Sequence, residues 1–282
     1  MNNMRNLRIK MYYYNDSKCN DVVLSLIDDK SKIVWSIGST GNNQFEGFRN
    51  KITIGMHPEL LVLGNKERLY FTIPNLQPRT FISLANNLNP SLGYYEKPTE
   101  ESCGRGISYL SNIRNWKKSG YMLQEEIDCL TEIPGHKSDV RIWIALCSDK
   151  NFWISPSCII RVCRSQLSLD TKTRITNISA ADKTLTQLDY ENNDKYYQLC
   201  LPVCQLFINK LQNRINHKRL DNLWTILGLD IIIDKNNNNA YIIEVNTMPQ
   251  FEHKTNEIFF NTYTRWINSL LLHINDQHEI LK

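Results

Sequence analysis

The sequence lacks the segments and motifs that define several large classes of protein. No stretch approaches the roughly 18–20 consecutive apolar residues that a membrane span needs. The first 18 residues contain no apolar core of a secretory signal. The six histidines form no H-E-x-x-H motif, which disfavours a zinc hydrolase. We therefore expect a cytoplasmic protein with no membrane partner.

Cysteine is present but is not arranged for disulfides or zinc. The eight cysteines include no C-x-x-C pair, and the closest spacings are Cys158–Cys163 and Cys200–Cys204. A chain of 282 residues can build a core without disulfide staples. We expect reduced thiols in an intracellular protein.

The charge balance is only mildly basic. Lysine and arginine number 33 against 29 acidic residues, a net charge of +4. This is far from the footprint of a nucleic-acid-binding protein, so we expect no nucleic-acid partner, although an acidic protein partner is compatible with it. The composition is that of an ordinary globular protein, and the length indicates about two domains.

Hydrophobic patterning divides the chain into three parts. Residues 1–55 are predicted to form a small N-terminal α/β domain, residues 56–125 a central lobe, and residues 126–282 a C-terminal lobe. A helix is predicted over 57–73, and a second is predicted to have Pro202 in its first turn. That second helix has an apolar stripe at every fourth residue: Val203, Phe207, Leu211 and Ile215. The last predicted helix begins near Glu257.

Three oxygen-bearing side chains are predicted to share one face of a hairpin near the C-terminus. The strand "LGLDIIID" carries Asp230, and the strand "AYIIEVN" carries Glu244 and Asn246. A five-residue turn, 235–239, would place Asp230 directly opposite Glu244, whereas an even-membered turn would separate their faces. Such a set of oxygen ligands suits Mg²⁺. The alternative is that the carboxylates are solvated residues at a sheet edge.

Two further regions carry candidate anion-binding residues. In "EKPTEESCGRGI", Lys97 ends a predicted strand, and Gly104 and Gly106 follow in a loop that could approach phosphate, or could be a plain turn. The spacing is neither that of a P-loop nor that of a Rossmann motif. In "HKSDVRIWI", three charged side chains alternate along one strand face: Lys137, Asp139 and Arg141. With Arg161 and Arg174 they form either a phosphate- and carboxylate-binding surface or a solvated face.

Taken in order, these motifs resemble those of the tubulin tyrosine ligase-like family, amino-acid ligases with an ATP-grasp fold. The matching stretches are "EKPTEESCGRGI", "MLQEEI", "HKSDVRIWI", "RITNIS" and "LGLDIIID…YIIEVNTMP". The resemblance implies an α+β fold in which two α/β lobes with antiparallel sheets clasp ATP. Arg174 stands where the family usually has histidine, and the hairpin is about one residue longer than the common form.

The resemblance also implies roles for individual residues. ATP would be bound by Lys66, Lys97, Gly104, Arg105, Gly106, Gln124, Glu125, Ile127, Lys137, Asp139 and Asn177. Asp139, Arg141, Arg161 and Arg174 would bind the substrates. Arg141, Arg161 and Glu244 would be catalytic, and Asp230, Glu244 and Asn246 would hold Mg²⁺.

The implied activity is ATP-dependent ligation through an acyl phosphate, with ATP and Mg²⁺ as cofactors. The expected partners are a free amino acid, glutamate first, and an acidic protein tail such as that of tubulin, which would associate the protein with the cytoskeleton. Two alternatives stay open. One is C-terminal tyrosination of tubulin, and the other is an inactive ATP-binding or scaffold protein.

Overall fold

Among the residues that the structure describes, apolar strands separated by turns build two β-sheets, and three α-helices pack around them. The structure, a computed structural model, describes residues 33–35, 52–55, 57–83, 88–100, 106–111, 113, 116, 119–147, 149–176, 188–191, 194–212, 215, 223–247 and 257–278. Most of the predicted N-terminal domain, residues 1–55, lies outside these residues. The described strands are β1 (Ile33–Trp35), β2 (Ile52–Ile54), β3 (Thr80–Phe81), β4 (Tyr94–Pro98), β5 (Ser108–Leu110), β6 (Tyr121–Glu125), β7 (His136–Cys147), β8 (Phe152–Ile154), β9 (Ile159–Gln166), β10 (Leu188–Glu191), β11 (Leu223–Ile233) and β12 (Ala240–Asn246). The helices are α1 (Lys66–Thr72), α2 (Asp194–Gln212) and α3 (Glu257–His278).

The larger sheet has eight strands centred on β11. Its order is β1-β2-β11-β7-β9-β10, with β12 paired to β11 and β8 paired to β7. The pairs β1–β2 and β2–β11 are parallel, and the other pairs are antiparallel. The stretch "FWISPSCIIRVC" forms two strands, β8 and β9, and both pair antiparallel with β7.

The smaller sheet has four antiparallel strands in the order β3-β6-β4-β5. Its own core is small and aromatic, with Phe81, Tyr94, Trp116 and Leu123 buried together. The Trp116 indole N–H donates to Glu96 Oε1 at 2.9 Å, which satisfies a carboxylate on this buried face. The opposite face of β4, carrying Tyr95 and Lys97, is left for the functional site.

Period-two alternation assigns the two faces of the larger sheet to different helices. One face of β7 and β11, including Ile142 and Leu229, packs under α2. The other face, including Trp143 and Trp224, packs under α3, whose Trp266 ring centroid lies 6.1 Å from that of Trp143. Because helices cover both faces there, the covered parts of β7 and β11 are nearly continuous runs of apolar residues.

Two helix predictions need correction in detail. The apolar stripe of α2 is confirmed, because Val203, Phe207 and Leu211 are buried. The helix begins at Asp194, however, so Pro202 lies inside it rather than in the first turn. The proline costs one backbone hydrogen bond there, and the packed apolar face outweighs it.

The predicted helix over 57–73 is two short helices. A 3-10 helix spans Pro58–Gly64, and α1 follows from Lys66. Asn65 separates them because its backbone is extended and its side chain accepts the Arg68 N–H at 2.9 Å, capping α1.

The chain passes from the smaller to the larger sheet through residues 126–135. This connection is fastened to the end of β11, since the Leu130 N–H donates to Ile233 O at 2.7 Å and the Lys235 N–H donates to Asp128 O at 3.0 Å. It therefore holds the open face of β4 and β6 against the adjoining face of β7, β9, β11 and β12.

Candidate active site

A cleft lies between the two sheets and is lined by both. The charged residues that the larger sheet contributes to the cleft lie on the strand faces that α3 covers further along the same sheet. The lining residues are Pro78, Tyr95, Lys97, Ile107, Gln124, Glu125, Ile127, Lys137, Ser138, Asp139, Arg161, Arg174, Ile175, Thr176, Asp230, Ile232, Ile243 and Glu244. Isoleucines and a proline thus share the cleft with four cationic and four acidic side chains, which suits a ligand with an apolar part and an anionic part that carries a metal ion.

The predicted pairing of Asp230 with Glu244 is present, but its predicted cause is wrong. Ile233 pairs with Ala240, so the turn over 234–239 has an even number of residues. A β-bulge between Asp230 and Ile231 adds one residue on β12 and restores the register, so that Asp230 pairs directly with Glu244. Ile243 and Glu244 both line the cleft, while Ile242 and Val245 on either side are core residues.

A buried charge network joins the three central strands. Arg161 donates from Nε and Nη2 to both oxygens of Asp139, each at 2.6 Å, and Nη2 also reaches Asp230 Oδ1 at 2.8 Å. Arg141 holds both oxygens of Asp230, with Nη2 3.0 Å from Oδ2. The Arg141 side chain lies across Gly228, where an added Cβ would be 3.4 Å from its Nη1.

Arg141 and Arg161 keep Asp230 in its charged form. Burial alone raises the pKa of Asp230, but Arg141 and Arg161 outweigh burial and hold that pKa below its ordinary value. For Arg161, burial lowers the pKa, and Asp139 and Asp230 more than offset it. Asp230 therefore stays ionised and Arg161 stays charged, although both side chains are buried.

Two lysines, Lys97 from β4 and Lys137 from β7, rest on one tyrosine of the smaller sheet. The Lys97 and Lys137 ammonium groups lie 5.8 and 5.5 Å from the centroid of the Tyr95 ring. Lys97 donates to Gln124 Oε1 at 2.6 Å, and Lys137 donates to the backbone carbonyl of Ile127 at 2.9 Å. Two buried ammonium groups without a carboxylate at hydrogen-bond distance in these contacts form a site for an anion.

The family model for YheC/D like ATP-grasp domains matches residues 94–270, more than half of the chain. The chain belongs to this family. The fold is accordingly the α+β ATP-grasp fold, as predicted, and membership indicates an ATP-dependent ligase. Comparison with curated proteins gives no match. The family assignment supports the ATP-grasp part of the predicted resemblance, and it does not single out the tubulin tyrosine ligase-like branch.

The ATP-grasp match sets the site apart from the region before it. It starts at β4 and ends within α3, so it contains Lys97 and the whole hairpin of β11 and β12 but excludes Lys66. Lys66 is the first residue of α1, is 5% exposed, and is outside the cleft lining. Its charge acts on both Lys97 and Glu244, so it lies within electrostatic range of the site.

ATP-grasp enzymes use ATP and a divalent metal ion, and the residues of the hairpin fit such an ion. Burial and the neighbouring Asp230 raise the pKa of Glu244, against the pull of Lys66, Lys97 and Arg141. A divalent cation relieves that repulsion between two carboxylates. Asn246 donates its amide N–H to Asp230 Oδ2 at 3.3 Å, which leaves its amide oxygen for a cation.

The protein supplies only part of a coordination sphere. Within the described ranges, no group of three or more histidine, cysteine, aspartate and glutamate side chains could hold a metal. The ligands beyond Asp230, Glu244 and Asn246 would be phosphate oxygens and water, as is usual for Mg²⁺ in nucleotide sites. When bound, the ion would neutralise phosphate charge.

The predicted ATP- and substrate-binding residues are mostly brought together by the ATP-grasp fold. Ten predicted residues line the cleft: Lys97, Gln124, Glu125, Ile127, Lys137, Asp139, Arg161, Arg174, Asp230 and Glu244. Arg141 and Asn246 are outside the lining, but each donates a hydrogen bond to Asp230, which is part of it. Gly106 has a φ of +70°, and its added Cβ would lie 3.1 Å from Pro98. Gly104, Arg105 and Asn177 lie outside the described residues.

Tyr95, which lines the cleft, was not predicted as a site residue, and neither was Glu126, which lies outside the lining and accepts the Tyr95 hydroxyl at 3.0 Å. Tyr95 could have been found, because it lies two positions before Lys97 on the same strand and therefore on the same face. Glu126 follows the end of β6, where no alternation applies, and its partners are distant in sequence. In the part of the chain that the structure describes, no helix is long and apolar enough to cross a membrane.

The first prediction concerns the pH dependence of nucleotide binding. Burial, assisted by Lys66 and Lys137, lowers the pKa of Lys97 to about 8, against Glu244 and Asp230. Because phosphate binding needs the ammonium form, we expect the apparent Kd for Mg·ATP to rise about tenfold between pH 7 and pH 9. Calorimetric titration at several pH values measures it.

Lys97→Arg is the control for that titration. Its guanidinium stays charged over the whole range, so the Kd should become nearly independent of pH. An equally steep dependence in the variant would assign the titration to another group. The same shift makes the free energy of unfolding rise as the pH goes from about 8 towards the unfolded value near 10.5, because the unfolded chain then binds the extra proton.

Proposed function

We propose that the protein is an ATP-dependent carboxylate–amine ligase that activates a carboxylate as an acyl phosphate. The observation that carries the proposal is the meeting of Lys97 and Lys137 with the Asp230–Glu244 pair in one cleft of an ATP-grasp domain. Two lysines and a carboxylate pair that could hold a metal ion, brought together in one cleft, suit a triphosphate with its metal ion.

The chemistry needs no nucleophilic side chain. A substrate carboxylate oxygen attacks the γ-phosphorus of ATP, the bond to the β,γ-bridging oxygen breaks, and ADP leaves. The amine nitrogen of the second substrate then attacks the acyl carbon, the carbon–oxygen bond to phosphate breaks, and the amine loses its proton to solvent. The protein contributes orientation and charge.

The described side chains divide this work. Lys97 and Lys137 hold phosphate oxygens, and Glu244 with Asp230 and Asn246 holds the metal ion. Arg161 and Arg141 lie beside the carboxylate pair and stabilise the negative charge that develops on the transferred phosphoryl group. Ile232 and Ile243 provide the apolar wall for the purine.

The finer proposal is that glutamate is joined to an acidic protein tail, with tubulin as the first candidate. Its support is the order of the motifs and the four cationic side chains in the cleft. This assignment would make an acidic protein and a free amino acid the partners, with cytoskeletal association as a consequence. C-terminal tyrosination and ATP binding without turnover are the competing outcomes.

The activity test needs no knowledge of the natural amine. Incubation with Mg·ATP, a glutamate-rich peptide and hydroxylamine should yield ADP and peptide hydroxamate in equal amounts, because hydroxylamine intercepts an acyl phosphate. Colorimetric hydroxamate detection and nucleotide chromatography measure the two products. ATP hydrolysis without hydroxamate for this peptide and for free amino acids would contradict the proposal.

The donor test replaces hydroxylamine with labelled amino acids. Tubulin is incubated with Mg·ATP and with labelled glutamate, glycine or tyrosine in turn. Incorporation of glutamate supports the finer proposal, and tyrosine alone replaces it with tyrosination. Tight binding of Mg·ATP with no turnover in either test would support a binding protein.

A further inference from the structure

Four side chains connect the smaller sheet with the segment that precedes Thr176. The Glu126 carboxylate accepts the Tyr95 hydroxyl at 3.0 Å and the Arg174 guanidinium, and it also accepts the Tyr109 hydroxyl. Tyr95 and Tyr109 belong to β4 and β5, whereas Arg174 ends a 3-10 helix that follows β9. We call Tyr95, Tyr109, Glu126 and Arg174 the hinge latch.

Arg174 is held on several sides in this latch. Its Cζ lies 3.7 Å from the centroid of the Tyr109 ring, and its Nε donates to the backbone carbonyl of Ser168. A separate hydrogen bond of 2.9 Å runs from the Tyr109 backbone N–H to Thr171 Oγ1. The guanidinium predicted to bind substrate is therefore engaged within the protein, and it fixes the position of its own segment.

Gly93 makes room for the latch. A Cβ added there would lie 2.2 Å from the Tyr109 hydroxyl oxygen and 2.7 Å from Glu126 Oε2. The Glu126 N–H also donates to the Gly93 carbonyl at 2.9 Å. Only a residue without a side chain allows the carboxylate and the hydroxyl to approach this backbone so closely.

Two short routes lead from the latch to the phosphate end of the cleft. Tyr95, whose hydroxyl is held by Glu126, is the ring on which the Lys97 and Lys137 ammonium groups rest. Thr176, two residues after Arg174, donates to Asp139 Oδ2, and Asp139 in turn orients Arg161. The latch therefore contacts the supports of cations on both walls.

We propose that Glu126 and Arg174 are positioning residues that hold the cations of both cleft walls in register for the ATP phosphates without touching ATP themselves. The inference rests on the proposed ATP-dependent function. A salt bridge between the segments that follow β6 and β9 can align groups that neither segment positions alone. Loss of the latch should weaken binding of the triphosphate and leave binding of the nucleoside almost unchanged.

The test compares two probes on the full chain by calorimetric titration. For Glu126→Gln, we expect the Kd for the non-hydrolysable analogue Mg·AMPPNP to rise about tenfold, a coupling of about 1.4 kcal/mol. The Kd for adenosine should change by less than about twofold. Arg174→Lys should give the same pattern, and the double variant should be no weaker than either single variant, because both break one ion pair.

The control is Lys235→Met, which breaks the solvent-exposed ion pair between Lys235 and Asp128 at the same connection. It should leave both Kd values unchanged. Tyr109→Phe keeps the ring under Arg174 and removes only a hydroxyl. If Glu126→Gln does not fold, Tyr109→Phe replaces it, and it should also raise the Kd for Mg·AMPPNP.

Three results would overturn the latch. Unchanged Mg·AMPPNP binding in the variants would mean that the latch does not act on the cleft. An equal loss for adenosine and Mg·AMPPNP would mean that Glu126 contacts the nucleoside directly. Absence of Mg·AMPPNP binding by the unmodified protein would refute the proposed function, and the latch would fall with it.

Discussion

Replacing Glu244 with glutamine lowers ATP-dependent hydroxamate formation about 1,000-fold or more while the fold persists, because the amide cannot supply the negative charge that holds the metal ion. The side chain is nearly the same size, so the hairpin packing is retained. Burial and Asp230 already raise the pKa of Glu244, so removing its charge relieves repulsion in the protein without metal. Steady-state ADP release and hydroxamate formation measure the loss.

Thermal unfolding separates this effect from misfolding. Without metal or nucleotide, Glu244→Gln should unfold at a temperature no lower than the unmodified protein, and added Mg·ATP should raise that temperature less. Lys235→Met, an exposed change on the turn of the same hairpin, should keep full activity. Retention of activity by Glu244→Gln would remove the metal role of this residue.

Alternation along single strands made much of the site predictable. In β7, Lys137, Asp139 and Arg141 occupy every second position, and Val140 between the last two is a core residue. In β11, Asp230 occupies the same face as Trp224 and Ile226, which α3 covers. A polar residue on an otherwise apolar face marks the point where the covering helix ends and the cleft begins.

The pairing register of β11 with β12 could not be predicted from the turn that joins them. The asparagines at 236–239 suit several turn lengths, and an even-membered turn alone would have placed Glu244 on the α2 face. The bulge beside Ile243 corrects this, at the cost of one irregular position in the ladder. Whether a chain uses a longer turn or a bulge depends on packing of Ile242 and Val245, which the local pattern does not contain.

The contact between Glu126 and Arg174 could not be predicted from the sequence for a different reason. Glu126 and Arg174 are 48 residues apart, and their meeting depends on how the connection after β6 crosses the larger sheet. No periodicity relates two residues in separate irregular segments. Arg174 was identified as a site residue through the motif resemblance, but its engagement with Glu126 and Tyr109 is tertiary information.

Replacing Arg161 with methionine should be among the most destabilising single changes in the site. Arg161 is 7% exposed and pairs with both Asp139 and Asp230, so its loss leaves two buried carboxylates with fewer partners. Breaking a buried pair on one side costs about 3–5 kcal/mol, which corresponds to a fall of roughly 10 °C in Tm for a chain of this size. Denaturant and thermal unfolding followed by circular dichroism measure it.

A second substitution distinguishes uncompensated charge from lost packing. Arg161→Met combined with Asp139→Asn removes one of the stranded charges, and Thr176 can still donate to the new side-chain oxygen. We expect the double variant to recover at least about 1 kcal/mol relative to Arg161→Met alone. If instead the two losses add, the contribution of Arg161 is its packing rather than its charge. Lys235→Met, whose ion pair is exposed to solvent, should change the unfolding free energy by no more than about 0.5 kcal/mol, because screened surface pairs contribute little.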